Sequence, residues 1–267
     1  MFTSTNEVLK DKVVLVTGGA QGLGRAICEL LLMHQARVIM ADIQKDKGNQ
    51  AVEELKEMAG SIEFYKLDLR RYEEVTNLFK EIKQKYSRID AVVNNAGIDF
   101  TKPISELSVE EWDAAMAVNL RGPFLMAKSA LEMMVPQKEG YIINIISTAA
   151  LRAWPEASVY HASKWGLRGF THALFTEARK SDIKVTALIA GGMKTPFLLD
   201  RFPDIDQSLL QDPKAVAKEV VHLLSMSGRS APAGSGVENM ADVERVADKG
   251  TIIPELMVIP LNESSWP

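Results

Sequence analysis

The chain has a single cysteine, Cys28, in 267 residues. No internal disulfide can form, which suits a reducing compartment. Cys28 itself falls in a helical pattern, where a small apolar filler is the expected role. No apolar run approaches the ~20 residues of a membrane-spanning helix. The opening stretch, Met1-Phe2-Thr3-Ser4-Thr5-Asn6-Glu7, lacks a basic segment followed by an apolar one, so no secretory signal is expected. Nor is positive charge in excess. Lys and Arg total 31 against 35 Asp and Glu, a net −4, with no basic stripe or arginine-rich tail to serve nucleic acid. His34, His172 and His222 are scattered without ligand spacing, so no metal site is expected. Together these absences predict a cytoplasmic protein with no nucleic-acid and no membrane partner.

What is present is an apolar content of 46%, ample for a sizeable core. Strand patterns fall near 12–17, 36–41, 61–67, 89–94, 140–146, 183–189 and 255–260. Helix patterns fall near 23–34, 46–59, 71–86, 109–136, 157–181 and 213–226. This alternation predicts an α/β fold: a doubly wound, parallel seven-stranded sheet of the Rossmann kind, with helices on both faces, in one domain over 1–267. Ligands of such sheets bind at the carboxyl ends of the strands.

Between the first strand and the first helix lies Thr17-Gly18-Gly19-Ala20-Gln21-Gly22-Leu23-Gly24. Glycines permit a tight turn and let a pyrophosphate approach the backbone, while the helix amino terminus offers free N–H groups. The next strand ends at Asp42, about the ~20-residue separation at which an acid meets the adenosine ribose of a dinucleotide. An aspartate there repels a 2′-phosphate, and Gln21 brings no positive charge into the loop, so NAD(H) is expected over NADP(H). Lys45 and Lys47 stand nearby as possible opposing charge.

A second cluster carries chemistry. Tyr160 and Lys164 are four apart, which puts them on one face of a helix over 157–181. Ser147 ends the apolar run Tyr141-Ile142-Ile143-Asn144-Ile145-Ile146. A hydroxyl at a strand's carboxyl end, facing a phenol and an ammonium, is equipped to move a proton on or off an alcohol oxygen. Each of these residues alone reads as structural; their conjunction points to catalysis. His161, beside Tyr160, points elsewhere on the helix and is given no role.

These motifs, in order and over nearly the whole chain, resemble the short-chain dehydrogenase/reductase superfamily in its single-domain form. Thr17–Gly24 matches its glycine loop, Asp42 its NAD-selecting acid, and Asp68 the acid that meets the adenine amino group. Asn94-Asn95-Ala96-Gly97 matches its tetrapeptide after the fourth strand. Asn119, Ser147, Tyr160 and Lys164 match its catalytic tetrad. In one place the match fails: the usual proline after the sixth strand is Ala190, although Gly191 and Thr195 remain in register.

The resemblance implies a cofactor site built from Gly18, Gln21, Gly22, Leu23, Gly24, Asp42, Ile43, Asp68, Leu69, Asn95, Ala96, Gly97, Tyr160, Lys164, Gly191, Met193 and Thr195. It implies a substrate site of Ser147, Leu151, Trp154, Tyr160 and Met193, with Arg152 able to pair an anionic substrate. Tyr160 is then the general acid/base, its phenolate favoured by Lys164 and by the positive ring of oxidised cofactor. Ser147 holds the substrate oxygen, and Asn119 distorts its helix and holds a proton-relaying water. Residues 191–212 match a substrate lid, and 228–250 form an irregular insertion. The ending Glu255–Pro260 resembles a branch that handles 3-hydroxy acids and related short alcohols. The implied activity is hydride transfer between a secondary alcohol and a ketone, in a homodimer or homotetramer that pairs helices 109–136 and 157–181. A 3-oxoacyl thioester reductase and a non-catalytic cofactor-binding regulator are the competing readings.

Overall fold

The computed structural model describes residues 8–226 and 252–261. The expectation for 228–250 lies outside these residues. Seven parallel strands form one sheet: β1 Val13–Thr17, β2 Arg37–Asp42, β3 Ser61–Lys66, β4 Ala91–Asn94, β5 Gly140–Ser147, β6 Ile183–Ala190 and β7 Glu255–Val258. They run in the order β3-β2-β1-β4-β5-β6-β7. The winding reverses between β1 and β4, and a crevice opens there at the carboxyl ends.

The strands read as near-continuous apolar runs because both faces are covered. Side chains alternate between the faces. Val14 and Val16 of β1 pack with Ile27 and Leu31 of α1 (Gly22–Met33), Ala51 and Leu55 of α2 (Lys45–Leu55) and Val220 of the last helix. Val13 and Leu15 face the other way, onto Val75 and Phe79 of α3 (Tyr72–Tyr86) and Met126 and Met134 further along. Cys28 is fully buried in the first of these layers, as a filler would be.

The span 109–136 is not one continuous helix. It is α4 (Val109–Met116), a π-helical stretch Ala117–Arg121, and α5 (Gly122–Gln137). A capping box starts α4: the Glu111 N–H donates to Ser108 Oγ at 3.1 Å, and the Ser108 N–H donates to Glu111 Oε2 at 3.0 Å. The widened turn is centred on Asn119, whose buried side chain is tied outside its own helix. The helix expected over 157–181 is α6 (Ser158–Ala178) followed by a 3₁₀ turn. The helix expected over 46–59 stops at Leu55, and the strand expected to reach 260 stops at Val258. Beyond β6 come the short α7 (Pro196–Leu199) and then α8 (Pro213–Ser225). No helix among the described residues is long and apolar enough to cross a membrane.

Candidate active site

A cavity of about 570 Å³ runs along the carboxyl ends of the strands, a volume ordinary for a cofactor and a small ligand. One end is the glycine loop. Gly18 and Gly22 sit at φ +65° and +57°, where a side chain strains the backbone. A Cβ on Gly18 would come within 2.9 Å of the Ala96 Cα, so the loop and the chain after β4 touch backbone to backbone. Gln21 occupies the N-cap of α1 without capping it with its side chain, which leaves that end's N–H groups open. Gly24 does not line the cavity. A Cβ there would lie 2.0 Å from the Gly18 carbonyl oxygen, so its role is to let α1 press onto the turn.

Thr17 and Asn95 weld this loop to the neighbouring one. Thr17 Oγ1 accepts from the Asn95 and Ala96 N–H groups at 3.1 and 3.2 Å. Asn95 Nδ2 returns bonds to the Thr17 and Gly18 carbonyls at 2.9 and 3.1 Å. Asp42, at the end of β2, is 7% exposed. Its carboxylate accepts from Ala20 N–H at 3.1 Å and Gln44 N–H at 2.9 Å, which fixes the charge beside the loop. Asp68 is gripped by a residue the sequence reading passed over. Arg70 donates to it from Nε at 2.9 Å and Nη2 at 2.7 Å, and this pairing holds the Asp68 carboxyl below its ordinary range. Lys47 Nζ donates to Gln21 Oε1 at 2.8 Å. The tight glycine turn, the open helix end and the acid at β2 fit a dinucleotide's pyrophosphate and ribose. No group of three or more His, Cys, Asp or Glu among the described residues could hold a metal.

At the other end three chemical groups converge. Ser147 closes β5, and its Oγ accepts from Ala149 N–H at 3.2 Å. Tyr160 and Lys164 follow on the first turns of α6, both buried. Lys164 Nζ donates to the Ile145 carbonyl at 3.0 Å and lies 5.7 Å from the Tyr160 ring centroid. Burial pushes the Tyr160 phenol up to about 12; a hydrogen bond with Ser147 opposes this, Asp99 adds to it and Arg201 lowers it. Burial pulls Lys164 down to about 8, with Asp99 opposing. The expectation that Lys164 lowers the phenol is therefore corrected for the protein alone. Desolvation is the largest influence on both groups, because each charged form would sit out of water.

Asn119 is wholly buried and lies outside the cavity wall. Its Oδ1 accepts from Ile98 N–H at 2.8 Å, and its Nδ2 donates to the Ile98 carbonyl at 2.8 Å and to Ser163 Oγ at 3.0 Å. The side chain thus clamps the chain after β4 to α6. Ala190, where a proline was expected, stays in the sheet between Ser147 and Val258, and Gly191 N–H donates to the Val258 carbonyl at 2.9 Å. The sheet supplies the stiffness there.

The substrate end is walled by Trp154, Met193, Phe197, Leu198 and Phe202. Leu151 and Arg152 do not line it; Leu151 packs against Leu167 and Ile189 on the sheet side. The 3₁₀ turn after Ser147 carries Leu151 away from the opening. Three charged residues that sequence reasoning missed do line it, Asp99, Glu156 and Arg201, and Asp99 and Arg201 form an ion pair. His161 also has a role after all. Its Nδ1 lies 2.8 Å from the Ala149 carbonyl, its Nε2 accepts from Trp154 N–H at 3.2 Å, and its ring meets the Trp154 ring edge-on at 4.3 Å.

The comparisons agree with this geometry. The family model for short chain dehydrogenases matches residues 12–206. The chain belongs to that family. It is 36% identical to a cyclopentanol dehydrogenase of Comamonas testosteroni over 228 residues, covering 81% of this chain and 91% of that enzyme. It is 33% identical to a 3-oxoacyl-[acyl-carrier-protein] reductase of Thermotoga maritima over 196 residues, covering 73% of this chain and 79% of the reductase. Among solved structures, a metagenomic short-chain oxidoreductase in complex with NADP superposes with a TM-score of 0.75 at 26% identity, covering 95% of this chain and 99% of that one. The short-chain dehydrogenase described here is thus an oxidoreductase on a nucleotide-binding Rossmann sheet.

Proposed function

We propose that this short-chain dehydrogenase interconverts a secondary alcohol and a ketone, with NAD(H) preferred over NADP(H) and Tyr160 as general acid/base. The convergence of Ser147, Tyr160 and Lys164 at one end of the dinucleotide-shaped cavity carries the reading. A bound nicotinamide supplies the hydride acceptor or donor. The chain's own residues handle the proton. Tyr160 holds it at the phenol oxygen and exchanges it with the substrate oxygen. Ser147, already hydrogen-bonded to that phenol, orients the substrate oxygen and stabilises charge developing on it. With oxidised cofactor bound, its positive ring together with the Lys164 ammonium would favour the phenolate, and the same ammonium would give the ribose hydroxyls a donor. The segment 191–212 is the lid over the substrate, and it seats Phe197 5.9 Å from the Tyr160 ring.

The preference for NAD(H) rests on Asp42, whose fixed negative charge faces the site of a 2′-phosphate. The solved relative with NADP, and Lys47 next to Gln21, are the opposing observations. The apolar walls of the substrate end favour a compact alcohol such as the Comamonas relative's name indicates. Acyl thioesters are the second reading, supported by the Thermotoga relative. The exposed apolar surface of Trp112, Phe124 and Trp165 supports a homodimer or homotetramer paired through α4–α6, which light scattering tests. The deciding experiment is Tyr160→Phe: turnover should fall by about 10²–10⁴ while NADH binding persists. Unchanged turnover rejects the assignment.

A further inference from the structure

The ion pair between Asp99 and Arg201 joins the chain after β4 to the segment beyond β6, 102 positions away in sequence, across the substrate end of the cavity. Its side chains are 7% and 21% exposed, so it is largely withdrawn from water. Arg201 is held on three sides. Nη1 donates to Asp99 Oδ2, Nε donates to the Phe197 carbonyl at 2.8 Å, and the guanidinium lies 3.9 Å from the Phe197 ring centroid. Asp99 Oδ2 also accepts from Thr101 Oγ1 at 3.3 Å. The other oxygen, Oδ1, is buried with no hydrogen-bond partner among the described residues.

Three basic side chains line the cavity among the described residues: Arg70, Lys164 and Arg201. Arg70 is spent on Asp68 at the adenosine end, and Lys164 is bonded to the Ile145 carbonyl beside Tyr160. Among the described residues Arg201 is therefore the one guanidinium at the substrate end, and an acid of this chain already occupies it. Planar guanidinium–carboxylate pairing is also how a carboxylate-bearing substrate would be recognised. Asp99 thus stands where such a substrate's charge would go, and Glu156 adds a second negative charge to the same wall.

We propose that the Asp99–Arg201 pair is the specificity determinant of this site, admitting uncharged alcohols and ketones and rejecting carboxylate-bearing ones by occupying the one guanidinium that, among the described residues, lines the substrate end. The inference rests on the proposed alcohol–ketone activity and names its substrate class. Rejection has two sources: Arg201 is already neutralised, and the unpaired lone pairs of Asp99 repel an incoming anion. Removing the two partners affects discrimination differently, and only the loss of Asp99 relaxes it. Asp99→Asn keeps the shape and releases the guanidinium. Arg201→Met leaves the Asp99 charge alone in the wall. A merely structural tether would make both variants behave alike.

The test uses a matched pair of probes, 2-pentanol and 4-hydroxypentanoate, which share a skeleton and differ by one carboxylate. The ratio of their kcat/KM values is measured with saturating NAD in wild type, Asp99→Asn and Arg201→Met. Wild type should favour 2-pentanol by 100-fold or more. Asp99→Asn should shift the ratio toward the carboxylate by at least tenfold, and Arg201→Met should leave it unshifted or push it further toward 2-pentanol. A shift under twofold in Asp99→Asn, equal shifts in both variants, or a wild type that uses both probes equally overturns the proposal. Thermal melts check folding; Asp99→Ser and Arg201→Lys replace a variant that does not fold, and Arg201→Lys should retain the wild-type ratio. Pentanoate binding to the NADH complex, read by fluorescence, repeats the comparison without turnover: it should tighten in Asp99→Asn only. Tyr160→Phe, run alongside, reports on the acid/base assignment separately, so failure of that reading is told apart from failure of this one.

Discussion

His161 Nδ1 lies 2.8 Å from the carbonyl oxygen of Ala149. A carbonyl can only accept, so Nδ1 carries the proton and the ring's other nitrogen is free to accept from Trp154 N–H at 3.2 Å. The neutral imidazole thereby fixes both ends of the turn that leads from Ser147 to Trp154. It is a positioning residue, acting on substrate through the Trp154 wall. His161→Phe keeps an aromatic ring against Trp154 and deletes both bonds. Each bond is worth about 1 kcal/mol. KM for the alcohol should rise by roughly 5–30-fold, with kcat changed much less, while His161→Asn recovers part of the loss. Equal falls in kcat and kcat/KM, or no change in KM, would contradict the role.

Lys164 gives a pH-dependent stability. Its burial lowers the ammonium from 10.5 to about 8. Between these values the unfolded chain holds a proton that the folded chain releases, so stability rises with pH across that window and is lowest below it. Lys164→Met removes the penalty of burying the ammonium. It also forfeits the bond to Ile145, a loss of about 1 kcal/mol, smaller than the penalty removed. The variant should melt higher than wild type at pH 7, by about 2–4 °C per kcal/mol gained, and the advantage should shrink toward pH 10.5. Its turnover should collapse. Melting below wild type at pH 7 would show that the ammonium is stabilised by contacts beyond these.

Two glycines make an internal control. A Cβ on Gly24 would strike the Gly18 carbonyl at 2.0 Å, whereas one on Gly169 in α6 meets nothing within 4 Å. Gly24→Ala should cost about 1–3 kcal/mol and weaken NADH binding at least tenfold, because the turn must open to admit it. Gly169→Ala should stabilise by about 0.5–1 kcal/mol and leave binding alone. Calorimetric titration with NADH and a thermal melt of each variant decide the matter.

Asp42→Ala should shift the ratio of kcat/KM with NAD to that with NADP at least tenfold toward NADP, since the fixed charge beside the 2′-position is gone. It also leaves the Ala20 and Gln44 N–H groups without their acceptor, so a drop in stability of about 1–2 kcal/mol should accompany it. An unchanged cofactor ratio would transfer the selection to another group.

The parts of this molecule legible in its sequence are those specified locally. The glycine turn, the strand alternation and the i,i+4 spacing of Tyr160 and Lys164 each depend on residues a few positions apart, and the seven strands fall where the alternation predicts them. The elements missed act across distance or at single backbone atoms. Asp99 meets Arg201 over 102 positions, and the sequence of either residue's neighbourhood says nothing of the other. His161 earns its place through two backbone groups, which carry no side-chain signature. The resemblance implies Leu151 in the substrate wall, but the turn that starts at Thr148 places it on the sheet side. The π-helical turn at Ala117–Arg121 lies where the resemblance implies a distortion at Asn119, whereas the periodicity alone gives one helix over 109–136.

The segment between β6 and α8 begins and ends at the same place. Met193 pairs with Gln211, Lys194 N–H donates to the Gln211 carbonyl at 3.0 Å, and Gln211 N–H donates to the Gly192 carbonyl at 3.0 Å. The stretch between those joints is a closed loop hung from one staple, and among the described residues its one charged tie across the cleft is Arg201 to Asp99. Such a loop can be exchanged as a cassette if that tie is carried with it, while Ser147, Tyr160 and Lys164 stay in place outside it. Relatives sharing this staple become donors for grafts that change appetite while keeping the engine.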